Sequence, residues 1–455
     1  MEVILNFFQF INDLGASVMM PIIITILGLI LGAPFGRALR AGLTVGVGFV
    51  GLNLVIGLIG THLGPAVQAM IERYGLTLDA IDIGWPAAAA IAFASSVGTF
   101  IIPVGIIVNV VMLVTNTTQT LDVDIWDYWH FAFTGAMIQA LTGSFAMGLV
   151  AAVLNMVIIM VIADLTAPSL ETYNGLPGIS LPHGFTGAFV PIAIVFNKIL
   201  DFIPGINKIK MDMDKVQAKL GLFGEPMIIG TVIGIVVGLI AGYGWDSLLL
   251  GINMGAVLVL IPKMAAMLME GLLPVSDAAQ VFIEKHFKNR GKLYIGLDSA
   301  VGIGHPVALT CALILVPLSI ALAVFLPGNR VLPFADLAVI PYVFVLIIPM
   351  VKGDFFRALV VGFFTMIIMF YCGTDMVDSF VATAKAADPA TYGSYTTAFS
   401  SICDGSNPLT WAMWKLSNFQ WIGIAIIAVI AIGLAIYNRQ HIIKQAKEAA
   451  AAEEA

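Results

Sequence analysis

Charge is what this sequence has least of. Asp, Glu, Lys and Arg make up 11% of its 455 residues, against about a quarter in a soluble globular protein. With 21 basic and 28 acidic side chains, the chain cannot coat a water-facing surface, which excludes an ordinary soluble enzyme. No basic patch stands against the net charge of −7, so nucleic acid is not an expected partner. Cysteine is nearly absent: Cys311, Cys372 and Cys403 form no CxxC pair, and Cys311, inside an apolar run, reads as a buried thiol. There is no HExxH, no clustered His/Cys set and no P-loop, so neither a metal nor another cofactor is expected, nor direct use of ATP. The start, Met1-Glu2-Val3, lacks a basic region, and no cleavage motif precedes Asp13; no cleaved signal peptide is expected.

What the chain does have is apolar length, with 60% hydrophobic residues. No charge occurs in 14–36, 41–71, 83–121, 128–163, 172–197, 226–245, 247–262, 299–329, 358–374 or 416–438. A helix crosses a bilayer core with about 20 apolar residues, so the runs 83–121 and 128–163 must fold back. Alternating barrel patterning is absent, which leaves an all-α polytopic membrane protein. Lys and Arg collect at Arg37/Arg40, Lys198–Lys219, Lys285–Lys292, Lys352/Arg357 and Arg439–Lys447, while Asp122–Asp127 and Asp164–Glu171 are acidic. The positive-inside rule puts the basic set and the C-terminal tail in the cytoplasm. Arg37 then closes a helix that began outside, which requires an odd count, and about 11 transmembrane helices are expected.

The chain also resembles itself. Gly64-Pro65 corresponds to Leu273-Pro274, Ile83-Gly84 to Ile295-Gly296, Pro103 to Pro317, and Asn116 with Asp124 to Asn329 with Asp336. Run 41–62 leaves a cytoplasmic cluster, whereas its counterpart 247–262 ends at Lys263, so the two repeats are inverted. Inverted repeats with broken helices and a mid-membrane site are a transporter architecture. Breaks fall at Gly84-Trp85-Pro86, Leu176-Pro177-Gly178 with Pro182-His183-Gly184, Gly224-Glu225-Pro226, Gly296 to Pro306, and Asp404-Gly405-Ser406-Asn407-Pro408. The first and fourth are expected to form re-entrant hairpins near 84–101 and 296–312. Segments 198–219 and 277–292 read as amphipathic interfacial connectors.

An ionisable side chain in the bilayer costs about 2.5–3.5 kcal/mol and needs a reason. His183 and Glu225 stand beside Pro and Gly, Asp298 lies at a break, and His130 follows Asp127 by one helical turn. Asp82 reads as an interface residue, and His62, His286 and His441 as loop or tail residues. Trp85, His130, His183, Glu225 and Asp298 together offer an aromatic face and hydrogen-bonding groups. That set suits a neutral polyhydroxylated solute.

The segments Val45-Gly46-Val47-Gly48-Phe49-Val50-Gly51, Asp82-Ile83-Gly84-Trp85-Pro86, Asp124-Ile125-Trp126, Trp129-His130, Pro182-His183-Gly184, Gly224-Glu225-Pro226 and Ile295-Gly296-Leu297-Asp298 occur in one order. In that order they resemble the galactitol-type membrane IIC permeases of the bacterial phosphoenolpyruvate-dependent phosphotransferase system. The resemblance, which covers essentially the whole chain, implies a homodimeric elevator-type transporter of the inner membrane. Its scaffold would be 1–62 and 224–272, and its mobile core 63–197 and 273–415. A cytoplasmic connector would span 198–223, and a last helix with its tail 416–455. Substrate, galactitol or a close polyol, would contact Trp85, Pro86, His130, His183, Gly184, Glu225, Asp298 and His305. A separate IIB protein carrying a phosphocysteine, charged by IIA, would phosphorylate it, with Glu225, Asp298 or a histidine as general base. One departure is Ala87 to Ala90, where typical members carry small polar residues, and it leaves the polyol open. The alternative is an ion-coupled secondary transporter in which Asp298 and Glu225 carry protons.

Overall fold

In an apolar medium, backbone N–H and C=O groups must bond within their own segment, so the long apolar runs fold as helices. The computed structural model describes residues 16–58, 61–62, 65–66, 69, 72–73, 79–124, 127–206, 209, 225–286, 293–333, 335–387, 389–393 and 398–453. Among the described residues, six helices are long and apolar enough to cross a bilayer: Ser96–Val114, Phe145–Asn174, Gly184–Phe202, Pro306–Phe325, Phe355–Ala387 and Trp421–Glu448. Their outer faces carry exposed Ile107, Val110, Val111, Val114, Ile422, Val429, Ile432 and Ile436, the surface of a multi-pass membrane protein. Against the eleven crossings expected, six described helices meet the length and hydropathy of a span. Breaks shorten others: Trp85–Ala94 has only 10 residues.

Ala16–Ile30 packs on Phe35–Leu58, and Ser247–His286 packs on both Phe35–Leu58 and Pro226–Ala241. Small residues let these backbones approach: a Cβ on Gly234 would lie 2.8 Å from the Gly251 Cα. Ser247–His286 is one helix of 40 residues that passes Pro262 and Pro274. A crossing ending at Lys263 with a separate connector from 277 was expected there. Residues 287–292 of that connector, and 207–208 and 210–219 of the other, lie outside the described residues, as does Ile125-Trp126.

Run 128–163 does fold back. Tyr128–Thr142 ends at left-handed Gly143 (φ 70°), and the Ser144 side chain caps Phe145–Asn174 by accepting the Met147 N–H. The expected hairpin near 84–101 breaks at Ser95, whose hydroxyl accepts the Gly98 N–H at 3.0 Å. From there Ser96–Val114 runs on through Pro103. In the expected hairpin near 296–312, a short 3-10 turn, Ser299–Val301, precedes Pro306–Phe325. Pro306 begins that helix rather than breaking it, because a first-turn residue needs no N–H partner.

Among the described residues, six short parallel strands hold the breaks in place. They are β1 (Ala80–Asp82), β2 (Thr120–Asp122), β3 (Ile179–Ser180), β4 (Tyr294–Gly296), β5 (Val331–Leu332) and β6 (Ala398–Ser400). One sheet has the order β5-β1-β6 and the other β2-β4-β3. Thus the strand at 80–82 lies between two strands from the C-terminal half, and the strand at 294–296 between two from the N-terminal half. Ala80 aligns with Val331 and Ala398, and Ile295 with Leu121 and Ile179. Asp82, read from the sequence as an interface residue, is fully buried within the protein at the end of β1. Its carboxylate accepts the N–H groups of Gly84, Asp336 and Ile402 at 3.1, 2.7 and 3.3 Å.

Candidate substrate site

The strands end where polar side chains gather. Past β3, His183 caps the helical turn Gly184–Gly187, and its Nδ1 accepts the Thr186 N–H at 3.3 Å. A backbone N–H can only donate, so His183 carries its own proton on Nε2. Past β4, Asp298 caps Ser299–Val301 and its Oδ1 accepts the Ala300 N–H at 2.7 Å. Past β6, Asp404 opens the turn Asp404–Ser406. Past β2, Asp127 stands at the N-cap of Tyr128–Thr142 and His130 lies in its first turn.

These groups meet. His130 Nδ1 lies 2.5 Å from Asp404 Oδ2, and the rings of His130 and His183 are 4.3 Å apart, centre to centre. His183 Nε2 faces Asp298 Oδ1 at 3.6 Å and Asp127 Oδ1 at 3.9 Å. Both gaps exceed a direct hydrogen bond. Asp127 is 1% exposed, and its Oδ2 has no hydrogen-bond partner among the described residues. An aromatic wall continues the row: Trp85 to Trp129 at 6.5 Å, Trp129 to His130 at 3.9 Å and His183 to Tyr342 at 5.7 Å.

The supporting contacts come from both halves of the chain. Asp124 Oδ2 accepts the Asp298 N–H at 3.0 Å, and Asp336 Oδ1 accepts the Trp85 N–H at 2.6 Å. Thus each break is held by a carboxylate that follows a strand of the opposite half. The Asn407 amide donates to Gly184 O at 3.0 Å and to Asp404 Oδ1 at 3.1 Å. Gly184 lies so close that a Cβ there would meet the His130 Cβ at 2.5 Å.

Of the residues expected at the site, Trp85, His130, His183, Gly184 and Asp298 come together. Pro86 sits in the first turn of Trp85–Ala94. His305 caps Pro306–Phe325, its Nδ1 accepting the Val307 N–H at 3.2 Å. Glu225 is exposed at the N-cap of Pro226–Ala241, and no described contact ties it to the histidines. Sequence reasoning passed over Asp404 and Tyr342; the break Asp404–Pro408 was the available signal for the first, and Tyr342 carried none.

Donor atoms of Asp127, His130 and His183 fall within 4.8 Å of one another. The proton on His183 Nε2 makes that set a mixture of donors and acceptors. Such a mixture fits hydroxyl groups, each of which donates and accepts, better than a cation that needs lone pairs from every ligand.

The chain is similar to known proteins over most of its length. The family described as PTS system sugar-specific permease component matches residues 9–394. A protein of Escherichia coli K12 named only as a permease IIC component is 38% identical over 434 residues, covering 95% of this chain and 99% of that protein. The galactitol-specific EIIC component of the PTS system from Escherichia coli K12 is 37% identical over 424 residues, 93% of each chain. Its counterpart from Escherichia coli O157:H7 matches with the same figures. A match over most of the chain, together with its apolar spanning helices, places this protein in the sugar-specific permease (IIC) family of the phosphotransferase system.

Proposed function

We propose that this chain takes up galactitol or a close polyol by alternating access, and that a separate IIB phosphocysteine protein, charged by IIA, phosphorylates the solute. The observation that carries this reading is the group of buried Asp127, His130, His183 and Asp404 with half-buried Asp298, beside Trp85 and Trp129. It pairs hydroxyl-binding groups with an aromatic face for the C–H side of a polyol. The galactitol-specific name of two relatives supports the substrate class.

The mobile core is formed by two inverted repeats, and the exchange of β1 and β4 between the halves supports that duplication. Ala16–Ile30, Phe35–Leu58, Pro226–Ala241 and Ser247–His286, which pack on one another, form the scaffold of a homodimer against which the core moves. The N-terminus faces the periplasm and the basic C-terminal tail the cytoplasm.

Uptake of radiolabelled galactitol into vesicles tests the reading. Accumulation as the phosphate, dependent on IIA, IIB and phosphoenolpyruvate and indifferent to a protonophore, is the expected outcome. Accumulation of free galactitol without IIA and IIB, lost on adding a protonophore, would instead establish ion-coupled transport.

A further inference from the structure

The phosphotransfer reading leaves open which group takes the hydroxyl proton. Glu225 is exposed, and Asp298 Oδ1 already accepts the Ala300 N–H at 2.7 Å. His183 presents a proton on Nε2 and so offers a donor. His130 has the opposite arrangement. Its Nδ1 lies 2.5 Å from Asp404 Oδ2, and a carboxylate there holds the ring proton on Nδ1 and leaves the lone pair on Nε2. Asp404 is itself fixed: Asn407 donates to its Oδ1 at 3.1 Å, and it is fully buried. His130 is confined between the Trp129 ring at 3.9 Å and the His183 ring at 4.3 Å, with Gly184 against its Cβ. The neighbouring histidines, their rings 4.3 Å apart, thus carry an acceptor on one Nε2 and a donor on the other.

We propose that His130 is the general base for phosphorylation of the bound polyol and that Asp404 is its positioning residue. The assignment rests on the phosphotransfer reading above. In the step, the polyol hydroxyl oxygen attacks the phosphorus of the donor's phosphocysteine. The O–P bond forms and the P–S bond breaks, the sulfur leaving as thiolate with the electron pair. The hydroxyl proton passes to His130 Nε2, and the Asp404 carboxylate stabilises the imidazolium that results. His183, through Nε2–H, orients the solute and takes no proton.

The test separates binding from chemistry in the full-length protein. Galactitol affinity is measured by calorimetry, and single-turnover phosphorylation with phosphorylated IIB. Asp404→Asn keeps the side-chain shape but loses the carboxylate. Its phosphorylation rate is expected to fall about 100-fold or more while affinity changes less than about tenfold. Asp404→Glu, which restores the carboxylate, is expected to recover at least about tenfold of that loss. An unchanged rate in Asp404→Asn, a loss of affinity matching the loss of rate, or equal loss in the Asn and Glu variants overturns the assignment alone. Failure of the wild-type chain to phosphorylate galactitol with the same IIB preparation overturns the phosphotransfer reading and the assignment with it.

Discussion

His183 shows how one residue acquires a fixed role. Its Nδ1 is occupied by the Thr186 N–H, so its Nε2–H points at Asp298 and Asp127 whatever occupies the space between them. A lost buried hydrogen-bond partner costs about 1–3 kcal/mol, or roughly 5- to 150-fold in affinity. His183→Ala and Asp298→Asn are each expected to weaken galactitol binding within that range. Calorimetry on the purified variants checks this, and unchanged affinity removes the residue from the site. Gly184 works by being small. Gly184→Ala puts a methyl group 2.5 Å from the His130 Cβ, which must shift at a cost of about 1–3 kcal/mol. A lower thermal midpoint in detergent together with weaker binding is the expected result; a wild-type midpoint would show that the ring has room to yield.

At the scale of elements, the short strands matter more than their length suggests. Each sheet aims a break from one half of the chain and is completed by strands from the other. The joints are carboxylates: Asp336 accepts the Trp85 N–H, the Ser401 hydroxyl and the Cys403 N–H at 2.6, 2.5 and 3.0 Å. Asp336→Ala takes the acceptor from the Trp85 N–H and the Ser401 hydroxyl, while the Cys403 N–H keeps the Ser401 oxygen at 3.1 Å; each donor left unpaired costs on the order of 1–3 kcal/mol. Its unfolding free energy should fall by about 3 kcal/mol or more, measured by reversible denaturation in detergent. Asp378 provides the contrast. It pairs with Arg330 at 3.1 Å but is 83% exposed, and an exposed ion pair contributes little. Asp378→Ala is expected to change little in the same assay. Equal effects in the two variants would contradict the assignment of the buried carboxylate as the joint.

For the whole molecule the deciding question is orientation. The tail Arg439–Lys447 is the last of the basic clusters, and the helix carrying it, Trp421–Glu453, is clamped by Asn438. That side chain donates to Thr117 O at 3.0 Å and to buried Asp164 at 2.6 Å. A cytoplasmic tail predicts that Lys447→Cys reacts with an impermeant maleimide in inside-out vesicles and not in intact cells. The native Cys311, Cys372 and Cys403 are all buried, so the background is low. Labelling in intact cells would reverse the topology proposed.

Membrane residence, helical class and family were determined by the sequence alone. Scarce charge and long apolar runs are properties of composition, and no tertiary contact is needed to read them. His130, His183 and Asp298 were legible for the same reason: an ionisable group inside or beside an apolar run is costly and stands out. Which breaks converge was decided only in three dimensions. Glu225 and His183 share a local setting of Pro and Gly, yet one is exposed at a helix start and the other sits at the centre of the polar group. Asp404 lies 274 residues from His130, and the two are brought together by folding alone. Both depend on sheets whose middle strand comes from the other half of the chain. A local sequence signal marks a break in a helix, but strand pairing between the halves sets where that break points.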